Sequence, residues 1–337
     1  MDGAPENLQL RSFRHMLAVQ QSSLHPFLAK HDEKTWTRVL ANIIPSVHPV
    51  DQVAIQIWFS FWPLKLSQSL QQSSDVAQTA KKMQLDGKYR LEEQIDSSVE
   101  FLFGSRYWPE IKRTVLRYAG TATDLDSIGL EKLIRDMAGS LAAERKISSS
   151  VLLGIVAIAC MVLQQVGIAA FAAAAEGSSL PRRDSLTAEE VLKARAPETQ
   201  RGFFGFLRPT DKRYTITFDE HKKGHTFRAI RAQDLSMACA TDRRDHQSQD
   251  HRRIEGPIPC QCRSGACGYC WIGVLGGKDK LSEITEFEKK RLKYFGYASS
   301  DSDQETHPPI RLACQSKCYG EVSIVIPPWN GVLDGRR

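Results

Sequence analysis

Seven of the eight cysteines in this 337-residue chain fall between Cys239 and Cys318, and four of them stand at Cys262, Cys267, Cys270 and Cys314. This Cys-x4-Cys-x2-Cys loop, with a further cysteine forty-four residues on, constrains the fold more than any other feature. Three sulfurs from one short loop and a fourth from a distant segment have to converge. Secreted disulfide scaffolds scatter cysteines through short chains, whereas here they crowd one stretch of a long chain. That crowding points to a metal site in a reducing compartment. The N-terminal MDGAPENLQLRSFRH has no basic-then-apolar pattern, so a cleaved secretory peptide is not expected.

Length suggests about two domains, and a hydrophobic content of 42% with 25% charged residues excludes a disordered chain. The net charge of +6 is unevenly placed: residues 1–200 carry 22 basic and 22 acidic residues, and 201–337 carry 23 and 17. So mild a bias does not argue for nucleic acid. Apolar spacing makes 1–146 a mainly helical region, with helices over Leu8–Gln20, Trp36–Ile44, Tyr89–Phe103 and Leu125–Ala143, the last capped by Asp124 or Asp126. Val53–Leu64 is unusually aromatic, and Pro63 is expected to end it. His15, His25, His31 and His48 lack ligand spacing and read as ordinary core or surface residues.

The segment 147–176 reads as one apolar helix. Its stretch 151–175 holds 21 apolar residues in 25 and no charge. As a helix it would be about 37 Å long, enough for a hydrocarbon core of roughly 30 Å. Gln164 and Gln165 near its centre oppose insertion, and the flanking basic residues are balanced four against four. Hydropathy favours a membrane-associated chain with the cysteine-rich region in the cytoplasm; the alternative is a soluble cytoplasmic protein with this helix buried. Residues 177–211 read as a linker with a capping box at Thr187–Glu190 and an apolar GFFGFL patch at 202–207.

From residue 212 to 330 the pattern turns to strands: Tyr214–Phe218, Thr226–Ile230, Trp271–Leu275 and Glu321–Ile326, with helices over Ala232–Ala240 and Thr285–Phe295. Four thiolates are what two tetrahedral irons bridged by two sulfides require, two per iron. Ser264, Gly265, Ala266 and Gly268 let the loop fold tightly, so that its N–H groups can face sulfur. Four cysteines also satisfy tetrahedral zinc, but zinc sites usually present two Cys-x2–4-Cys knuckles, and Cys314 has no ligand-spaced neighbour except Cys318. Cys260 and Cys318 are extra to the set, and Cys239 reads as a small buried residue.

With the Cys-Arg-x-Gly-x-Cys core at 262–267 and Arg311-Leu312-Ala313-Cys314-Gln315, the segment 212–328 resembles the plant-type [2Fe-2S] ferredoxins. The longer interval between third and fourth cysteines is similar to adrenodoxin-like members. The resemblance implies an α+β chain: a β-grasp domain preceded by a helical region with one long apolar helix. It also implies a [2Fe-2S] cluster held by Cys262, Cys267, Cys270 and Cys314, and an electron-transfer protein rather than an enzyme, near −400 mV as is common for such sites. Expected partners are a protein electron donor and acceptor with acidic docking patches facing Arg243, Arg244, Arg252, Arg253 and Arg263, the equal alternative being that these arginines form a solvated loop paired with Asp242, Asp245, Asp250 and Glu255; a membrane is a further candidate, and nucleic acid is not expected. Other readings are a redox-sensing regulator and an iron–sulfur subunit of a larger oxidoreductase. The fragment 210–337 is expected to stand alone as a soluble coloured domain. Gly273–Asp279 falls one residue short of a phosphate loop, and no dinucleotide fingerprint, Rieske histidine pair or Gly-x-Ser-x-Gly elbow is present.

Overall fold

Capping and proline chemistry set out most of the helices. In the computed structural model, which describes residues 23–121, 125–174, 186–195, 212–297 and 305–330, the N-terminal half holds α1 (Leu24–Ala29), α2 (Glu33–Ile43), α3 (Pro49–Phe61), α4 (Leu64–Gln71), α5 (Val76–Lys82), α6 (Trp108–Thr121), α7 (Leu125–Ile128), α8 (Leu130–Arg145) and α9 (Ser149–Ala174). Asp32 and Asp75 cap α2 and α5 by accepting the N–H groups of Thr35 and Gln78. Pro63 stands between α3 and α4, as its missing N–H and fixed φ require. The stretch expected as a helix over Tyr89–Phe103 is instead a run of turns with 3-10 pieces at Leu91–Glu93 and Ser97–Val99. Asp126 lies inside α7 rather than capping a continuous helix, because Gly129, at φ +79°, separates α7 from α8. The expected helix at 8–20, the cap at Asp124 and the apolar patch at 202–207 lie outside the described residues.

The second half begins with α10 (Ala188–Arg195) and continues through β1 (Arg213–Thr217), β2 (Thr226–Ile230), α11 (Leu235–Cys239), β3 (Trp271–Gly276), α12 (Glu286–Phe295), β4 (Ile310–Leu312) and β5 (Val322–Val325). The capping box at α10 forms both of its bonds: Glu190 N–H to Thr187 Oγ1 at 3.2 Å and Thr187 N–H to Glu190 Oε2 at 2.7 Å. The strands form one mixed sheet in the order β2-β1-β5-β3-β4. β1 is antiparallel to β2 and parallel to β5, while β3 is antiparallel to both β5 and β4. β4, with a buried arginine in three residues, carries no alternation from which it could be read.

The chain divides into two compact units, Met1–Gln52 with Leu91–Arg182 and Val53–Arg90 with Arg183–Arg337. Residues 53–90, read above with the helical region, therefore belong to the sheet-bearing unit. The reason is the aromatic run of α3. Phe61 meets Tyr297 edge-on at 6.2 Å, and Trp62 meets Trp329 at 5.9 Å. Ile57 packs on Gly273 of β3 so closely that a Cβ there would lie 2.7 Å from its Cγ2. A buried β3 covered in this way has no polar face, which explains its continuous apolar sequence.

In the other unit α9 packs against α1, α6, α8 and the 3-10 turn at Phe103–Tyr107. It is one helix long and apolar enough to cross a membrane by length and composition, and 78% of its most apolar window is buried in protein. Gly167 breaks it at φ +78°, leaving 18 regular residues before the kink, about 27 Å. Gln164 sits in a made-to-measure polar niche: its Oε1 accepts the Trp36 indole N–H at 2.7 Å and its Nε2 donates to the His31 carbonyl at 2.8 Å. At the far end the buried Lys112 donates to the Ala174 carbonyl at 2.8 Å and pairs with Asp96.

Candidate metal centre

The sheet register brings the distant cysteine to the loop. Cys270 immediately precedes β3 and Cys314 is the second residue after β4; Trp271 pairs with Leu312, and the Ala313 N–H donates to the Cys270 carbonyl at 2.9 Å. A buried ion pair fixes β4 from behind. Arg311 meets Glu288 of α12 in a two-pronged bond at 3.0 and 3.0 Å, Glu288 Oε1 also accepts the Leu312 N–H at 2.7 Å, and Arg311 donates to the Ser282 carbonyl at 2.8 Å. Both side chains are excluded from solvent, so every charge there depends on its partner.

The loop closes on itself through left-handed backbone at Arg263, Gly265 and Gly268. Gly268, at φ +71°, leaves no room for a side chain, because a Cβ would lie 2.6 Å from the Phe295 ring. Among the four expected ligands, Cys262 meets Cys267 and Cys270 meets Cys314, and Cys270 also meets Cys260. Cys262 bonds Cys267, whose own N–H donates to Cys262 Sγ at 3.4 Å; Cys270 bonds Cys314. Cys314 also feels the charge of Cys262, so the pairs lie within electrostatic reach of each other. Among the described residues no three metal-binding side chains already stand together as a single site.

Cys260 does not share the fate of the other extra cysteines. It bonds Cys270, and that contact, working against burial, brings its thiol down to about 7. Burial also opposes the Cys262 thiolate, but hydrogen bonds from Ser264 and the Cys267 N–H bring it to about 6. Cys270 is raised, first by Cys260 and then by Cys314, and Cys314 is lowered in turn by Cys270. Cys318 instead donates to the Gly320 carbonyl at 3.1 Å and Cys239 to that of Ser236 at 3.2 Å; burial raises them to about 11 and about 12.

The arginines expected to form a docking face are mostly committed elsewhere. Arg252 is buried, its guanidinium bound to Asp250 at 2.6 Å and to the Pro327 carbonyl at 3.2 Å, and Arg253 is largely covered beside the same carboxylate. Arg244 ties the loop to the β1–β2 hairpin through the Gly224 and Thr226 carbonyls, each at 2.6 Å, and through Asp242. Arg243 and Arg263 remain at the surface, the latter paired with Glu255. Long guanidinium stems pack well against apolar surface, which charge counting along a sequence does not register.

Two neighbours of the loop carry no sequence signal. Asp86, from the segment between α5 and Arg90, accepts the Tyr269 hydroxyl at 2.8 Å. Burial, and then this bond, push the Tyr269 phenol up to about 12. Glu288 is the other, hidden among charges that read as helix-dipole partners. Beside the loop opens a cleft of about 680 Å³ lined by Lys81, Tyr89, Cys267, Tyr269, Arg291 and Tyr294, among others. No family model matches the chain, and comparisons with curated proteins and with solved structures give no match either.

Proposed function

We propose that the sheet-bearing unit is a β-grasp electron-transfer domain that holds a [2Fe-2S] cluster on Cys262, Cys267, Cys270 and Cys314. The observation that carries this reading is that the sheet register seats Cys314 beside Cys270, next to the loop in which Cys267 N–H donates to Cys262 Sγ, so that Cys270 meets Cys314 and Cys262 meets Cys267. A two-iron cluster takes two thiolates on each iron, whereas one zinc ion takes all four around a single point. The sheet order, with β1 parallel to β5 between two antiparallel flanks, supports the β-grasp reading.

The residues fit such a group. The Cys267 N–H already faces a sulfur, Gln315 Nε2 lies 3.6 Å from Cys314 Sγ, and glycines at 265 and 268 keep side chains out of the loop. Donors of this kind stabilise thiolate charge. When bound, the cluster supplies reversible uptake of one electron. The protein's own part is to supply the four thiolates, to shield the Cys270–Cys314 pair, and to leave the partly exposed 262–267 side open to a partner. The partners are proposed to be a protein donor and a protein acceptor, with Arg243 and Arg263 as the surface cations that would meet an acidic patch. For α9 we favour the buried core helix over a membrane span, because its central polar group has protein partners.

Anaerobic reductive titration of the full chain tests the function. Uptake of one electron per chain, with the EPR signal of a reduced [2Fe-2S] centre, is the expected result. A protein that takes up no electron over the range of such centres would overturn it.

A further inference from the structure

We propose that Asp86 is a positioning residue for the cysteine loop, so that residues 84–90 act as a latch on the site. The inference rests on the cluster reading above. Tyr269 lies between Cys267 and Cys270 and is held at both ends. Its hydroxyl donates to Asp86 Oδ2 at 2.8 Å, and its carbonyl accepts the Asn330 side-chain N–H at 2.7 Å. The other oxygen of Asp86 is occupied as well, accepting the Gly87 N–H at 2.8 Å and meeting His251 Nε2 at 3.1 Å.

The latch is itself seated. Lys88 N–H donates to the Pro328 carbonyl at 3.2 Å. Gly87 sits at φ +75°, where a Cβ would lie 2.5 Å from the Pro328 oxygen and 2.9 Å from Arg252 Nε. Arg252 is in turn fixed by Asp250, so the carboxylate of Asp86 rests on a rigid support. A carboxylate accepting a phenol O–H makes a charge-assisted bond, stronger and more directional than a neutral one. Outer residues of this kind orient metal ligands, and their charge helps set reduction potential. Asp86 therefore fixes how the Cys267–Cys270 turn presents its sulfurs, and places a negative charge beside it.

The test uses full-length protein with D86N, D86A, Y269F and the D86A/Y269F double variant. In metal-free protein, the rate at which iodoacetamide alkylates Cys267 and Cys270 is read by mass spectrometry. D86A and Y269F are each expected to raise it several-fold, with the double variant no faster than either, because both remove the same bond. D86N can keep its one oxygen on the phenol but loses the acceptor for the Gly87 N–H, and is expected to alkylate more slowly than D86A or Y269F. In loaded protein, D86N is expected to shift the reduction potential upward, since it removes the negative charge, and the D86A/Y269F protein serves as the reference for the lost hydrogen bonds. Unchanged alkylation in Y269F, or additive rates in the double variant, would overturn the latch; an unshifted potential in D86N would overturn its electrostatic part. Should D86A not fold, Y269F and D86N, each a near-isosteric change, still decide the matter. Wild-type protein that binds no iron or sulfide would sink the cluster reading, while the alkylation rates would still report on the latch.

Discussion

Single residues in this chain act through partners that a linear reading does not reveal. Of the two readings of the loop arginines, docking face or pairing with the neighbouring acids, Arg252 follows the second: its guanidinium is buried against Asp250 and Pro327. Replacing it with Ala is expected to destabilise the protein by about 1–3 kcal/mol, since the buried guanidinium's bonds to Asp250 and the Pro327 carbonyl are lost while Asp250 keeps Arg253; denaturant unfolding measures this. Any salt dependence of electron transfer should then follow Arg243 and Arg263 instead, and stopped-flow rates for charge-reversed R243E and R263E check it. Asp242 is the residue whose titration reports the anchoring of residues 241–256. Arg244, against the opposing effect of burial, holds its carboxyl at about 2 instead of 3.8. A lowered carboxyl contributes stability that is fully present above pH 3.8 and is lost as the pH falls through about 2. D242N is therefore expected to be less stable than the native chain at pH 6, with most of that deficit gone near pH 2, as thermal melts at the two pH values would show.

Elements were legible where one local rule decided them. The capping box at Thr187, the stop at Pro63 and the alternating strand at Thr226–Ile230 each follow from a few adjacent residues. β4 escaped notice because its three residues are buried on every side, and α9 was ambiguous because hydropathy cannot distinguish lipid from protein surroundings. The residue that bears on it is Gln164, whose partners Trp36 and His31 are more than 120 residues away in sequence. In a buried helix, Q164L strands the indole N–H and a carbonyl and is expected to cost about 1–3 kcal/mol in thermal or denaturant unfolding. In a lipid-facing helix the same change would favour insertion. The four cysteines proposed as ligands can be nominated from spacing alone, whereas Asp86, Glu288 and the engagement of Cys260 cannot, because each depends on contacts made across the fold.

At the scale of the molecule, the aromatic run of α3 and the latch at 84–90 join the N-terminal segment to the sheet. Ile57, Phe61, Trp62 and Asp86 all reach residues of the C-terminal region. The fragment 210–337, expected from sequence to stand alone, would expose β3 and lose the support of Tyr269. It is now expected to be insoluble, or to bind iron poorly, when expressed without residues 53–90. The central claim is that two sulfur pairs hold two irons. Its most direct measurement is iron, zinc and acid-labile sulfide content of the anaerobically purified full chain, beside Cys→Ala variants at 262, 267, 270 and 314 and a Cys318→Ala control. About two irons and two sulfides per chain are expected, lost in each of the four variants and retained in the control. One zinc per chain with no sulfide would contradict the account.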